Sequence, residues 1–247
     1  MPIKAFAFDA YGTLFDPTSV TRAVEAAFPG HGAFIAAVWR QQQLEYSWLR
    51  SAMGRWAPFE TVTRDALIHA IGTVRDGADE RIVAALCPAF DRLSLYPEAK
   101  AAVASLDGHR IGILSNGSGD MLAALLAQTG MQGRFPVVVG SDQIRAYKPH
   151  PEFYRAAMTA FDLPPEEIAL VSSNGFDLAG AKHFGLRTIR IERLAPAALR
   201  EATREGGAIT PATAFTALRS QMDDFAGPPD HVLPSLAGLA EIASQEG

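Results

Sequence analysis

The sequence predicts an α/β fold, a parallel sheet with helices on both faces, interrupted after its first strand by an all-helical insertion. Strand-like apolar runs stand at Ile3 to Phe8, Ile111 to Leu114, Val137 to Val139, Ile168 to Val171 and Thr188 to Ile191. Helical patterns or turn residues separate most of them, which is the alternation of a parallel sheet with crossover helices. Between about Thr18 and Leu95 that rhythm stops, and only helical patterning is found, in AFIAAVWRQQQLEYSWLR and ETVTRDALIHAIGTV.

Taken in order, the first strand runs into FDAYGTLFD, where the carboxylate of Asp9 ends the apolar run, Tyr11 follows two residues later and the chain turns on Gly12. After the helical stretch, Pro97 and Glu98 open the helix EAKAAVASL, and the second strand ends in Ser115-Asn116-Gly117. Tyr147-Lys148-Pro149-His150-Pro151 forms a stiff, proline-flanked loop. Pro164-Pro165-Glu166-Glu167 precede the strand IALVSS, whose end carries Ser172-Ser173-Asn174-Gly175-Phe176-Asp177. In the tail, Gly227-Pro228-Pro229 and HVLPSLAGLAEIA predict a turn, a short edge strand and a closing helix.

Composition narrows the function classes. With 247 residues, 48% of them hydrophobic, the chain can bury a sizeable core. A net charge of -5, from 22 basic and 27 acidic residues, leaves no basic stripe for nucleic acid. The lone Cys87 can make no intrachain disulfide or metal cluster. The start MPIKAFAFD lacks a leader, and no apolar run is long enough for a bilayer, so no membrane partner and a cytoplasmic location are expected.

Ligands of open parallel sheets sit outside the carboxyl ends of the strands. There the sequence gathers Asp9, Ser115-Asn116-Gly117, Lys148 and the loop from Ser172 to Asp177. Singly, each has an ordinary reading: Asp9 and Asp177 as helix caps, Ser115-Asn116-Gly117 as a turn, Lys148 as a surface lysine. Their joint placement favours one site. The six histidines lack zinc-ligand spacing, and no HExxH, P-loop or nucleophile-elbow pattern competes.

The set FDAYGTL, LSNGS, YKPHPEFY and VSSNGFDLAGAKHFG, with VWRQQQLEYSWLR in the helical stretch, resembles the haloacid dehalogenase superfamily and in detail its L-2-haloacid dehalogenases, over essentially the whole chain. The resemblance implies a Rossmann-like core of residues 1–16 and 96–247, a helical cap of residues 17–95, and a homodimer. It implies hydrolysis of short-chain L-2-haloalkanoic acids, with water, to D-2-hydroxy acids and halide through an aspartyl ester, with inversion at C2. Asp9 would be the nucleophile, Lys148 would favour its charged form, and Thr13 and Ser172 would orient its carboxylate. Asp177 would activate water, with Asn174 positioning it. Ser115, Lys148 and the backbone amides of Asn116 and Tyr11 would hold the substrate carboxylate. Arg40, Asn116 and Phe176 would accept the halide, and Gln41, Leu44, Tyr11 and Phe59 would wall the chamber. Tyr154 would support Lys148 or simply pack.

Tyr11 discriminates between reactions of the superfamily. Its phosphatases carry a second acid two residues after the nucleophile, to protonate an alkoxide leaving group, and a magnesium ion to neutralise phosphate. A halide leaves without a proton. With Tyr11 at that position and Asp177 the one acid of the last motif, no metal and no cofactor are expected. The alternatives weighed are a magnesium-dependent small-molecule phosphatase, which needs an acid at position 11, and a non-catalytic binding protein, which has no need of Asp9, Lys148 and Asp177 together.

Overall fold

The computed structural model describes residues 2–204, 209–211, 213–215 and 226–246. In chain order, β1 (Ala5–Phe8) and β2 (Phe15–Asp16) are followed by four helices: α1 (Thr21–Ala27), α2 (Gly32–Ala52), α3 (Phe59–Gly72) and α4 (Glu80–Leu86). Then come β3 (Ser94–Leu95), α5 (Ala99–Ala104), β4 (Arg110–Leu114), α6 (Gly119–Thr129), β5 (Val137–Val139), α7 (Ser141–Ile144) and α8 (Pro151–Phe161). The remainder is β6 (Ile168–Ser172), α9 (Gly175–His183), β7 (Arg187–Ile191), α10 (Pro196–Ala202), β8 (His231–Leu233) and a closing helix, Leu239–Glu246.

The expected parallel sheet is present, six strands in the order β5-β4-β1-β6-β7-β8, with every pairing parallel. Because β1 is central, its residues are buried on both faces, and such strands read as continuous apolar runs. Phe6 and Phe8 enter one layer with Ile113 and Val171. Ala5 and Ala7 enter the other, against Phe153, Tyr154, Ala157 and Phe161 of α8. The small alanines let α8 lie close to the sheet.

Register determines what the strand ends can do. Phe8 lies opposite Ile113 of β4 and Val171 of β6, so Asp9 and Ser172 emerge at one level and Ser115 one residue further on. The first strand is shorter than the predicted Ile3 to Phe8: the Ile3 and Lys4 amides donate to Glu246 and Glu167 carbonyls, outside the ladder.

The stretch between β2 and β3 is helical, as expected. The exception is β3 itself, which pairs antiparallel with β2 through Phe15↔Leu95 and Asp16↔Ser94 and lies at the end of the stretch read as wholly helical. Two residues are too few to show alternation in a sequence. α2 carries the stripe expected of a packed helix, burying Ile35, Ala36, Trp39, Arg40, Gln43, Leu44 and Ser47. α8 starts as predicted after a proline-flanked loop, with Pro151 in its first turn and His150 as its cap. The short edge strand and closing helix of the tail are also found, as β8 and Leu239–Glu246. No helix among the described residues is long and apolar enough to cross a membrane.

Candidate active site

Asp9 leaves β1 with its amide bonded to the Val171 carbonyl at 3.0 Å, and only 4% of the residue is exposed. Its Oδ2 accepts from Thr13 Oγ1 at 2.8 Å and Asn174 Nδ2 at 2.7 Å, and its Oδ1 accepts from Lys148 Nζ at 2.9 Å. Asp9 is therefore no helix cap. The turn that carries Thr13 back to it passes through Gly12 at φ +95°, where a Cβ would also stand 3.1 Å from Ser173 Oγ. Ser173 closes this turn, its amide donating to Thr13 Oγ1 at 2.9 Å and its hydroxyl to the Gly12 carbonyl at 2.8 Å.

Lys148 is buried, not a surface lysine. Its three N–H donors go to Asp9 Oδ1, to the Leu114 carbonyl at 2.9 Å and to Asp177 Oδ2, so the ammonium is fixed between two carboxylates. Burial alone would lower its pKa, but Asp177 and Asp9 together raise it. The reverse holds at Asp177, which lies inside α9 instead of capping it. Burial pushes its carboxyl up to about 6, with Asp9 adding to the rise and Lys148 opposing it. Tyr154 Oη donates to Asp177 Oδ1 at 3.0 Å, so this tyrosine supports the acid and not Lys148 directly. Close packing of α8 on α9 permits this contact, because a Cβ on Gly180 would run into Tyr154 Oη.

The helical segment covers this cluster. Arg40 is 7% exposed, and among the described residues the one hydrogen bond its guanidinium makes to a side chain goes to neutral Gln43 Oε1, at 3.1 Å. Gln43 is held in turn by donating to Thr63 Oγ1 at 2.8 Å. The Arg40 guanidinium lies 5.6 Å over the Tyr11 ring, within cation–π range. Burial draws its pKa down and Asp9 is the strongest opposing influence, yet a guanidinium stays charged. A buried cation without a carboxylate in contact is a place for an anion. Tyr11 packs against Phe59 with ring centroids 6.0 Å apart; Leu44 is buried, and Phe176 meets the edge of Trp48 at 5.1 Å. Gln41 lies on α2 with a buried Oε1 that has no partner among the described residues. A cleft of about 550 Å³ reaches Tyr11, Arg40 and Asn174 from outside, between alanines 33, 36 and 37 and the segment after β7.

Two of the expected contacts are arranged differently. Ser172 Oγ accepts from the Asn174 amide at 3.0 Å, so Asn174 and not Ser172 joins Thr13 in holding Asp9. Ser115 Oγ accepts from the Gly117 amide at 3.1 Å, the turn contact of its ordinary reading, and keeps its own proton to donate. Asn116 Oδ1 accepts from the Lys148 amide at 2.7 Å, which turns its Nδ2 donor elsewhere. The backbone amides of Tyr11 and Asn116 donate to no protein group among the described residues. Sequence reasoning missed Ser173 and Gln43. Gln43 lies three residues after Arg40 on one helix, a spacing that signals the pair; Ser173 has no signal short of the turn itself.

The fold and this site define a member of the haloacid dehalogenase-like hydrolases: the chain belongs to that family, whose model matches residues 3–185. Within it, the chain is 47% identical over 241 residues to (S)-2-haloacid dehalogenase from Xanthobacter autotrophicus, covering 97% of this chain and 94% of the relative. It is 42% identical over 77% of its length to haloacetate dehalogenase H-2 of a Moraxella species, covering 86% of that protein. The crystal structure of L-2-haloacid dehalogenase from Xanthobacter autotrophicus with chloropropionic acid covalently bound superposes with a TM-score of 0.94 at 45% identity, over 99% of this chain and all of the other.

Proposed function

We propose that this chain hydrolyses short-chain L-2-haloalkanoic acids to D-2-hydroxy acids and halide through an ester on Asp9. The observation that carries the reading is a buried carboxylate aimed by three donors, near a buried Arg40 whose charge has no carboxylate in contact among the described residues. The relatives named above act on 2-haloacids and haloacetate, and one holds chloropropionic acid covalently.

Oδ2 of Asp9 already accepts two hydrogen bonds and Oδ1 one, so Oδ1 is the attacking oxygen. It forms a bond to C2 from the side opposite the halogen, and the halide departs with the bonding pair toward Arg40, Asn116 Nδ2 and the Phe176 edge. The unclaimed amides of Tyr11 and Asn116, with the Ser115 hydroxyl, hold the substrate carboxylate. Asp177 then takes a proton from a water that attacks the Asp9 carbonyl carbon, and returns it to the departing 2-oxygen. The C2–O bond survives this step, so the inversion made in the first is kept. Gln41, Leu44, Tyr11 and Phe59 wall the chamber.

The donor set favours this reading over a phosphatase. Asp9 and Asp177, the carboxylates a magnesium ion would draw on, both pair with Lys148, and position 11 is a tyrosine whose pKa is raised by burial. The proposal includes a cap of residues 17–95 over a core of 1–16 and 96–247, a homodimer and a cytoplasmic location, the last in keeping with a single cysteine.

The test is halide release from separate L- and D-2-chloropropionate in excess EDTA. Release from the L form alone is expected. No release from either, with phosphate esters hydrolysed once magnesium is restored, would replace this function by the phosphatase.

A further inference from the structure

We infer that Arg193, outside the group that touches substrate, is a positioning residue for the Asp9 nucleophile; the inference rests on the function proposed above. Arg193 follows β7 by two residues and reaches across to the ribbon formed by β2 and β3. Its Nη2 donates to the Thr13 carbonyl at 2.6 Å, its Nη1 to Glu98 Oε1 at 2.5 Å, and its guanidinium carbon stands 3.5 Å from the centre of the Tyr96 ring. Tyr96 in turn donates its amide to the Leu14 carbonyl at 3.0 Å. One planar fork thus grips the chain where it leaves the sheet for the helical segment and where it returns.

The grip matters because of what Thr13 does. This residue is wholly buried, and its hydroxyl is one of the two donors that set Asp9 Oδ2. Other backbone groups of the turn bond within it: the amides of residues 13, 14 and 15 all go to the Ala10 carbonyl. The Thr13 carbonyl has Arg193 as its donor, so the peptide plane that aims the Thr13 side chain is held by a residue from the far side of the sheet. Without the fork, that carbonyl is left unpaired and the Thr13 hydroxyl keeps only the Ser173 amide, on its other side, to set its direction toward Asp9 Oδ2. Nucleophilic attack is sensitive to such misplacement, whereas the Asn116 amide and Ser115 hydroxyl that receive the substrate carboxylate lie on another strand end, and the Tyr11 amide precedes Thr13 by two residues.

The test compares the parent with R193A, R193K and E98Q, by halide release from L-2-chloropropionate. In R193A, kcat is expected to fall by about tenfold or more with KM changed less than about threefold. Methylguanidinium is expected to restore part of the loss and methylammonium none, since only the former supplies a planar fork. R193K, which keeps charge without the fork, is expected to resemble R193A, and it carries the test if R193A does not fold. E98Q spares the Thr13 contact and is expected to keep kcat within about twofold of the parent. A kcat for R193K within about twofold of the parent, rescue of R193A by methylammonium as well as methylguanidinium, or a loss in E98Q equal to that in R193A would overturn the assignment. A parent that releases no halide would instead overturn the function on which it rests.

Discussion

Under the proposed function, Asp177 carries two demands that pull in opposite directions. A base that takes a proton from water must be ionised, yet this one is buried and its carboxyl is pushed up to about 6 by that burial and by Asp9. The consequence is a pH dependence set by one group. In the parent, kcat is expected to decline as pH falls below about 6, because protonated Asp177 can no longer accept a proton from water in the hydrolysis step. In D177N, ester formation is expected to proceed and hydrolysis to stop, so that mass spectrometry of the protein after halide release finds the substrate's carboxyalkyl group esterified to Asp9. Unchanged steady-state turnover in D177N would refute its role. Asp9, Lys148 and Asp177 were legible as a set in the sequence because Asp9 directly follows an apolar strand, Lys148 lies in a proline-flanked loop and Asp177 comes five residues after the strand ending at Ser172. That Asn174 rather than Ser172 reaches Asp9 was not legible, since adjacent loop residues differ only in the backbone torsions that aim them.

At the scale of elements, the site depends on how closely α8 and α9 approach. A Cβ on Gly180 would fall 2.7 Å from Pro149 Cβ and 2.9 Å from Tyr154 Cε2, atoms beside Lys148 and Asp177. G180A is therefore expected to destabilise the protein by about 1–3 kcal/mol through overpacking and to lower kcat as well. Urea unfolding and halide release measure the two effects, and a variant as stable and as active as the parent would show that the helices yield without consequence. The helices themselves were readable from apolar periodicity. The β2–β3 ribbon was hidden by its length, and it is here that the chain crosses between sheet and helical segment. The position of Arg40 on its helix followed from spacing, and the same i,i+3 spacing marks Gln43, the neutral partner that leaves its charge available.

For the whole molecule, the far edge of the sheet is secured by Asp230. Its Oδ2 accepts from the Thr188 amide at 2.8 Å and hydroxyl at 2.9 Å, pinning the start of β8 to β7, and Lys182 and Arg187 lie beside Oδ1. Burial raises its pKa, but the Thr188 donors and the two cations outweigh this and hold the carboxyl below its ordinary value. The stabilisation is thus complete above the unfolded value of about 3.9 and is lost as pH falls through the lower folded one. D230N is expected to cost about 1–2 kcal/mol near neutral pH, modest because the group is partly exposed, and the difference should close in acid. Thermal unfolding of both proteins across pH checks this; a gap that persists in acid would assign the effect to shape and not charge.

The central place of β1 has a consequence for biosynthesis. Asp9 is separated by 139 residues from Lys148 and by 165 from Asn174, the groups that restrain it. During translation Asp9, the proposed nucleophile, leaves the ribosome long before Lys148 and Asn174 exist, and it lacks those restraints until β6 slots in beside β1. Turnover by a nascent or truncated chain would accordingly report the docking of β6 beside β1, without any added label.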